Sequence, residues 1–206
     1  MWRVGRAGAA SSVLLCMLAG SAAAQAPPGP PGPYVIDLRG ALIGVPGAGA
    51  FFPPAAPAGA TLTSVPSRAF GFDVGGHVYP ASVGAARLGV GVNLIRARAS
   101  ISTPDVSAVV TTVAPQVSFN FGSADGWSYL GGGYGVATVT SHVAAADTDA
   151  DSGRVGAINV GGGVRWFLRS RLGAGFDVRL HRLGKGARGP TPAGRVLSFS
   201  VGISVR

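Results

Sequence analysis

The sequence contains no glutamate, a single lysine and a single cysteine in 206 residues. Charged residues make up 12% of it, about half the share of an ordinary soluble domain. Without Lys and Glu the chain lacks the side chains that usually cover a globular surface in water. One cysteine, Cys16, cannot form an intrachain disulfide, and it lies in a segment expected to be removed, so the mature chain has no thiolate chemistry. Lipidation at Cys16 would need a small residue just before it, and Leu15 stands there. No stretch after the N-terminal segment is apolar enough for a transmembrane helix.

Present in excess are glycine, at 34 residues, and hydrophobic residues, at 47%. Arg3 and Arg6 give a basic start, Ala7 to Leu18 is a short apolar run, and SAAAQA offers cleavage after Ala24 or Ala26. This is the pattern of a secretory signal peptide over 1–24, with cleavage possible to 26. PPGPPGP then makes 25–33 a stiff Pro/Gly leader, too short for collagen. Without Arg3 and Arg6, fifteen basic residues remain against eight aspartates. Such an excess suits nucleic acid or an anionic membrane surface. Export and the scatter of the arginines make lipid phosphates the expected neighbours and no nucleic acid the expectation.

From Tyr34 onward, apolar residues recur at every second position in eight runs: Tyr34–Ile43, Arg68–Tyr79, Arg87–Ala99, Val109–Phe121, Trp127–Val139, Val155–Leu168, Leu172–Leu183 and Arg195–Val205. Period two is the signature of a strand whose faces meet different surroundings. Each run is long enough to cross a bilayer as a tilted strand, which takes about 9–11 residues. The connections alternate between long and short, as they do between the two rims of outer-membrane barrels. The expected fold is therefore all-β: an eight-stranded antiparallel up-and-down transmembrane β-barrel over 34–206.

The polar parity carries Gly, Ser and a few charges of both signs, which suits a barrel interior better than a soluble surface. An eight-stranded barrel has room inside only for side chains. Asp37, Asp73 and Asp177 balance Arg39, Arg165 and Arg179 there, joined by His77 and His181, and buried ions must pair. A mutual polar network, not a lined pore, is the expectation. The hairpin about Arg169-Ser170-Arg171 keeps its apolar faces together if Phe167 faces Gly173, Arg165 faces Gly175, Gly163 faces Asp177 and Gly161 faces Arg179. Arg165 would then lie diagonal to Asp177, within reach. Strand five, WSYLGGGYGVATV, leaves its facing open because both parities carry Gly and aromatics.

With its signal peptide, its eight runs, FDVGGHVYP at Phe72–Pro80, GGGVRWFLRSRLGAGFDVRLHR at Gly161–Arg182 and the closing VLSFSVGISV, the chain resembles the OmpA-like family of small outer-membrane β-barrels. The resemblance covers Tyr34 to the end. It implies residence in the bacterial outer membrane, contact with lipid and lipopolysaccharide, and insertion by the barrel-assembly machinery. The sequence ends in Val205-Arg206 where the family usually has an aromatic, and with no peptidoglycan-binding domain following the last strand that role is not expected.

Candidate chemistry is sparse. RLHRLG around His181 is loosely similar to the Arg-x-x-His-x-Ser pattern of outer-membrane lipid A deacylases. Its Arg stands two residues ahead instead of three, Leu183 takes the place of Ser, and no Glu exists to orient the His; the expectation is no enzyme. Asp147, Asp149 and Asp151 resemble the front of a calcium loop, but the glycine comes one place late and Ile158 stands where a bidentate acid belongs. No metal and no cofactor are expected, with those three aspartates the only candidates. Arg96 and Arg98 fall on the apolar parity and would meet lipopolysaccharide phosphates unless a bulge turns them inward. GGGYG at Gly131–Gly135 has no helix or Lys after it and is no phosphate loop. The expected role is structural or surface-interacting, with an OmpW-like conduit for small hydrophobic molecules and a soluble secreted ligand-binding barrel as alternatives.

Overall fold

The computed structural model describes residues 32–45, 66–102, 105–123, 125–144, 147–185 and 194–206. The expected signal peptide and most of the expected Pro/Gly leader lie outside the described residues. Nine strands follow one another: β1 (Tyr34–Gly44), β2 (Arg68–Val83), β3 (Ala86–Ser102), β4 (Asp105–Ser123), β5 (Gly126–Val143), β6 (Thr148–Asp151), β7 (Val155–Phe167), β8 (Leu172–Leu183) and β9 (Gly194–Val205). All pair antiparallel with their neighbours, and β1 pairs with β9, so the sheet closes and has no edge.

β6 and β7 together form the sixth barrel strand. Both pair with β5, and one extra residue at Ser152-Gly153-Arg154 separates them. Gly153 takes φ +63 there, and the Ser152 hydroxyl accepts the Val139 N–H at 2.9 Å, so the bulge keeps the ladder satisfied. A second bulge between Val78 and Ala81 accommodates Pro80, which has no N–H to give.

The outer connections are shorter than the sequence suggests. Residues 100–108 and 140–154 read as loops, but β3, β4 and β5 run on through much of them as strands of 17, 19 and 18 residues. The acidic segment is a hairpin extension in which Thr140 pairs with Asp151 and Val143 with Thr148. Hydrogen-bonded extension overrides the low hydrophobicity of these segments, because every residue added to the ladder finds its partner.

One ring of pairs defines the barrel. It runs from Tyr34 through Val78, Val90, Val117, Gly132, Val160, Leu180 and Leu197, and returns to β1 at Gly44. The circuit climbs from position 34 to position 44, a stagger of ten residues over eight strands. That stagger corresponds to a strand tilt of roughly 40°.

The apolar parity points outward. Phe70, Leu130, Val160, Trp166, Leu168 and Val201 are each more than half exposed, whereas Asp37, Asp73, Arg165 and Asp177 are each 1% exposed. On β9 the outward apolar run extends from Leu197 to Val205. Nine residues at about 3.3 Å and that tilt make a belt roughly 22 Å tall, close to the ~25 Å apolar band of an outer-membrane barrel. An exposed apolar surface of this extent is stable only in lipid.

Candidate functional site: the barrel interior and the arginine belt

The interior is filled in three layers. At the rim of short turns lie Val35, Tyr79, Trp127, Tyr129 and Phe167. Trp127 stacks on Phe167 at 4.8 Å between ring centroids and meets the edge of Tyr79 at 6.1 Å. At the long-loop end Ile43, Ile95, Val106, Val110, Val139 and Val143 form an apolar core, each at most 2% exposed. Between the two lies the ionic layer.

Six charges make up that layer. Asp37 accepts hydrogen bonds from Arg165 Nε at 3.0 Å and Nη2 at 2.6 Å, and from the Ser204 hydroxyl at 2.6 Å. Arg39 lies 2.8 Å from Asp37 and 3.4 Å from Asp73. Asn93 donates to the other oxygen of Asp73. Arg179 holds Asp177 through two bonds of 3.1 and 2.9 Å and reaches Gln116 at 2.7 Å and Asn159 at 2.8 Å. The Tyr129 hydroxyl joins the two halves: it donates to Asp177 at 2.8 Å and accepts from Arg39 at 3.2 Å. Bidentate, charge-assisted bonds of this kind offset the desolvation of buried ions.

The hairpin register is the one the sequence suggests: Phe167 opposes Gly173, Arg165 Gly175, Gly163 Asp177 and Gly161 Arg179. Glycines opposite large side chains leave the lumen room for them. At Gly163 a Cβ would run into the Phe176 carbonyl and lie 2.8 Å from the Tyr129 hydroxyl, so no larger residue fits without displacing the network.

The partner suggested for Arg165 is corrected. Its guanidinium pairs with Asp37 on β1 instead of with diagonal Asp177, and it lies 4.0 Å from the centre of the Tyr129 ring. Tyr129 and Arg179 already saturate Asp177, and a ring face favours a cation over it. Nothing in the sequence marks Tyr129, because strand five shows no clear parity; Trp127 and Tyr129 both point inward, with Leu130 and Tyr134 outward.

His77 and His181 are both inside. His77 is 8% exposed, and among the described residues its Nδ1 has no hydrogen-bond partner. His181 Nε2 lies 3.1 Å from the Ser198 hydroxyl, a Ser–His spacing that the sequence pattern did not reveal because the serine comes from β9. Both side chains are enclosed, His181 at 3% and Ser198 at 0% exposure, and Ser198 donates to the Arg179 carbonyl. Leu183, at the deacylase serine position, is buried in the apolar core.

The calcium-loop candidates do not converge. Asp149 pairs with His142 at 2.8 Å, and Asp151 accepts the Gly153 N–H at 2.8 Å. Residues 148–151 are extended, so their carboxylates lie along a strand instead of wrapping a centre. Among the described residues no three His, Cys, Asp or Glu side chains are grouped to hold a metal.

Arg96 and Arg98 point outward, opposite Phe72 and Phe70. Arg68, Arg182 and Arg195 are outward and exposed as well. Allowing for the climb of the ring of pairs, these five lie within about three residues of one another in height, a belt roughly 7 Å tall at the upper border of the apolar band. They occupy β8, β9, β2 and β3, which with β1 form one continuous arc.

No family model matches the chain, and no curated protein sequence does. Solved structures do. Neisserial surface protein A is similar with 12% identity and a TM-score of 0.54, and Ail, the attachment invasion locus protein of Yersinia pestis, with 13% identity and a TM-score of 0.51. Each alignment covers 84% of this chain and 96% of the other. Both are small eight-stranded outer-membrane barrels. The closed ladder, the lipid-facing belt and the packed polar interior lead to the same place: this chain is an eight-stranded β-barrel of the bacterial outer membrane.

Proposed function

We propose that this barrel is a non-enzymatic, non-conducting structural protein of the envelope, of the OmpA-like kind, which meets its surroundings through its outer loops. The observation that carries this is the filled lumen, in which three arginines are bound to three aspartates between two apolar layers. Every carboxylate of that layer accepts hydrogen bonds from arginine or neutral donors, which leaves none as a general base. The enclosed His181–Ser198 pair offers no approach for a substrate. A conduit for hydrophobic molecules needs a continuous apolar path, and the apolar interior ends at the ionic layer. The barrel-assembly machinery and the surrounding lipopolysaccharide are its proposed partners.

Planar-bilayer recording with the purified barrel tests this reading. Insertion without conductance steps is the expected result. Stable channels in the intact protein would overturn it.

A further inference from the structure

The lipid-facing surface carries a feature that the filled lumen leaves unused. Arg182 on β8 and Arg195 on β9 are direct cross-strand partners on the outward face, and like charges so placed repel. Among the described residues none of the five belt arginines has an ion-pair partner. All eight aspartates of the sequence are in described positions, and those at the long-loop end lie above the belt, Asp105 at the upper end of β4, Asp149 and Asp151 in β6 and Asp147 in the turn before it. Five unneutralised guanidiniums at the border of an apolar band call for an external anion.

A groove lies directly beneath. Gly40, Leu42, Phe70, Phe199 and Val201 line an open apolar furrow on β1, β2 and β9. Its floor is β1, where Leu42 stands between Phe70 and Phe199 and the outward Gly40 below it carries no side chain; Gly44 follows on the same face two residues higher. Gly44 sits beside Arg68 and Leu197, two residues from Arg195 on β9, so the outward face of β1 continues above the furrow to a point between two arginines. The glycines are not forced by packing: a Cβ at Gly40 would meet only the Val201 carbonyl oxygen, at 3.9 Å, and one at Gly44 only that of Leu197, at 3.7 Å.

We propose that β9, β1 and β2 form a binding site for a phosphorylated, acylated saccharolipid of the outer leaflet, the lipid anchor of lipopolysaccharide. Arg68 and Arg195, with Arg182 beside them, take its phosphate, and an acyl chain runs from Gly44 over Leu42 to Gly40, between the Phe70 and Phe199 walls. The phosphate relieves the Arg182–Arg195 repulsion, and the chain covers the furrow. This proposal rests on the membrane placement of the barrel and is independent of whether the lumen conducts.

The test uses barrel extracted from membranes in detergent, stripped of lipid and titrated under native mass spectrometry. Bisphosphorylated lipid A, its dephosphorylated form, phosphatidylglycerol and inorganic phosphate are the probes. Intact barrel is expected to hold one lipid A, with the dephosphorylated form at least about tenfold weaker, since the charge-assisted bonds are lost. Arg68→Gln with Arg195→Gln weakens lipid A by a similar factor. Gly40→Leu, whose Cβ would meet only a carbonyl oxygen at 3.9 Å and whose side chain occupies the furrow, weakens it several-fold, and Arg171→Gln at the opposite rim leaves it unchanged. Heat-modifiable gel mobility verifies that each variant is folded. Equal affinity for the dephosphorylated lipid, for phosphatidylglycerol or for inorganic phosphate would overturn the proposal, as would unchanged binding in the folded Arg68/Arg195 and Gly40 variants.

Discussion

Three arginines inside the barrel and five outside it obey opposite rules. Arg39, Arg165 and Arg179 each lie within 3.4 Å of an aspartate and are at most 4% exposed. Arg68, Arg96, Arg98, Arg182 and Arg195 are exposed and, among the described residues, face no carboxylate. Interior pairing is compulsory, because a bare charge there has neither water nor lipid phosphate to turn to. Outside, at the height where the apolar belt ends, the membrane itself can supply the counter-charge. The inner set therefore bears on stability, and the outer set is left open to a counter-charge from outside the chain.

Breaking the inner set should have the largest effect. Arg165→Leu leaves Asp37 without its bidentate partner and should cost about 3–5 kcal/mol in urea unfolding followed by heat-modifiable mobility. Replacing both partners, Asp37→Leu with Arg165→Leu, should cost less than the single change. The single change leaves three buried carboxylates to share two arginines, whereas the double restores the charge balance and Arg39 keeps Asp73. A double variant less stable than the single one would mean that the pair stabilises the barrel beyond the charge balance. Tyr129→Phe comes next. It removes the hydroxyl that bridges Arg39 and Asp177 at a cost of about 1–2 kcal/mol, with the ring still under Arg165.

How far the sequence foretold this contrast depends on the residue. The inward placement of Asp37, Asp73, Asp177, Arg39, Arg165 and Arg179 was legible because each sits among apolar neighbours of opposite parity, and period two leaves only two faces. The hairpin register was legible too, since large residues and glycines alternate across it. Partners were not. Arg165 reaches across the lumen to a strand 128 residues earlier, and a contact between non-adjacent strands leaves no trace in local pattern. Tyr129 was hidden by the glycines around it, which carry no parity. The apolar upper core was hidden for another reason: Ile95, Val110 and Val139 point inward where the outward face carries Arg96, Arg98 and Thr111, so the polar and apolar faces exchange roles along one strand.

That exchange permits a smaller test of the inner set. Ile95→Val in the upper core, 1% exposed, should cost about 0.5–1.5 kcal/mol through the lost methyl group and the space it leaves. The loss should be the same at low and high salt, since no charge is involved.

The outer set should answer salt in the opposite sense. Arg182 opposes Arg195 directly, so Arg182→Gln in lipid-free detergent removes a repulsion and should stabilise the barrel slightly, by less than about 1 kcal/mol. Both side chains are exposed, so salt screens the repulsion, and the gain should fade as ionic strength rises toward 1 M, where the screening length is about 3 Å. Urea midpoints of the two proteins, measured at low and at high salt, should therefore converge. A gain that survives high salt would show that Arg182 strains the barrel through packing and not through its charge. A loss at low salt would mean that Arg182 already has a favourable partner, which would place the outer arginines under the same rule as the inner ones.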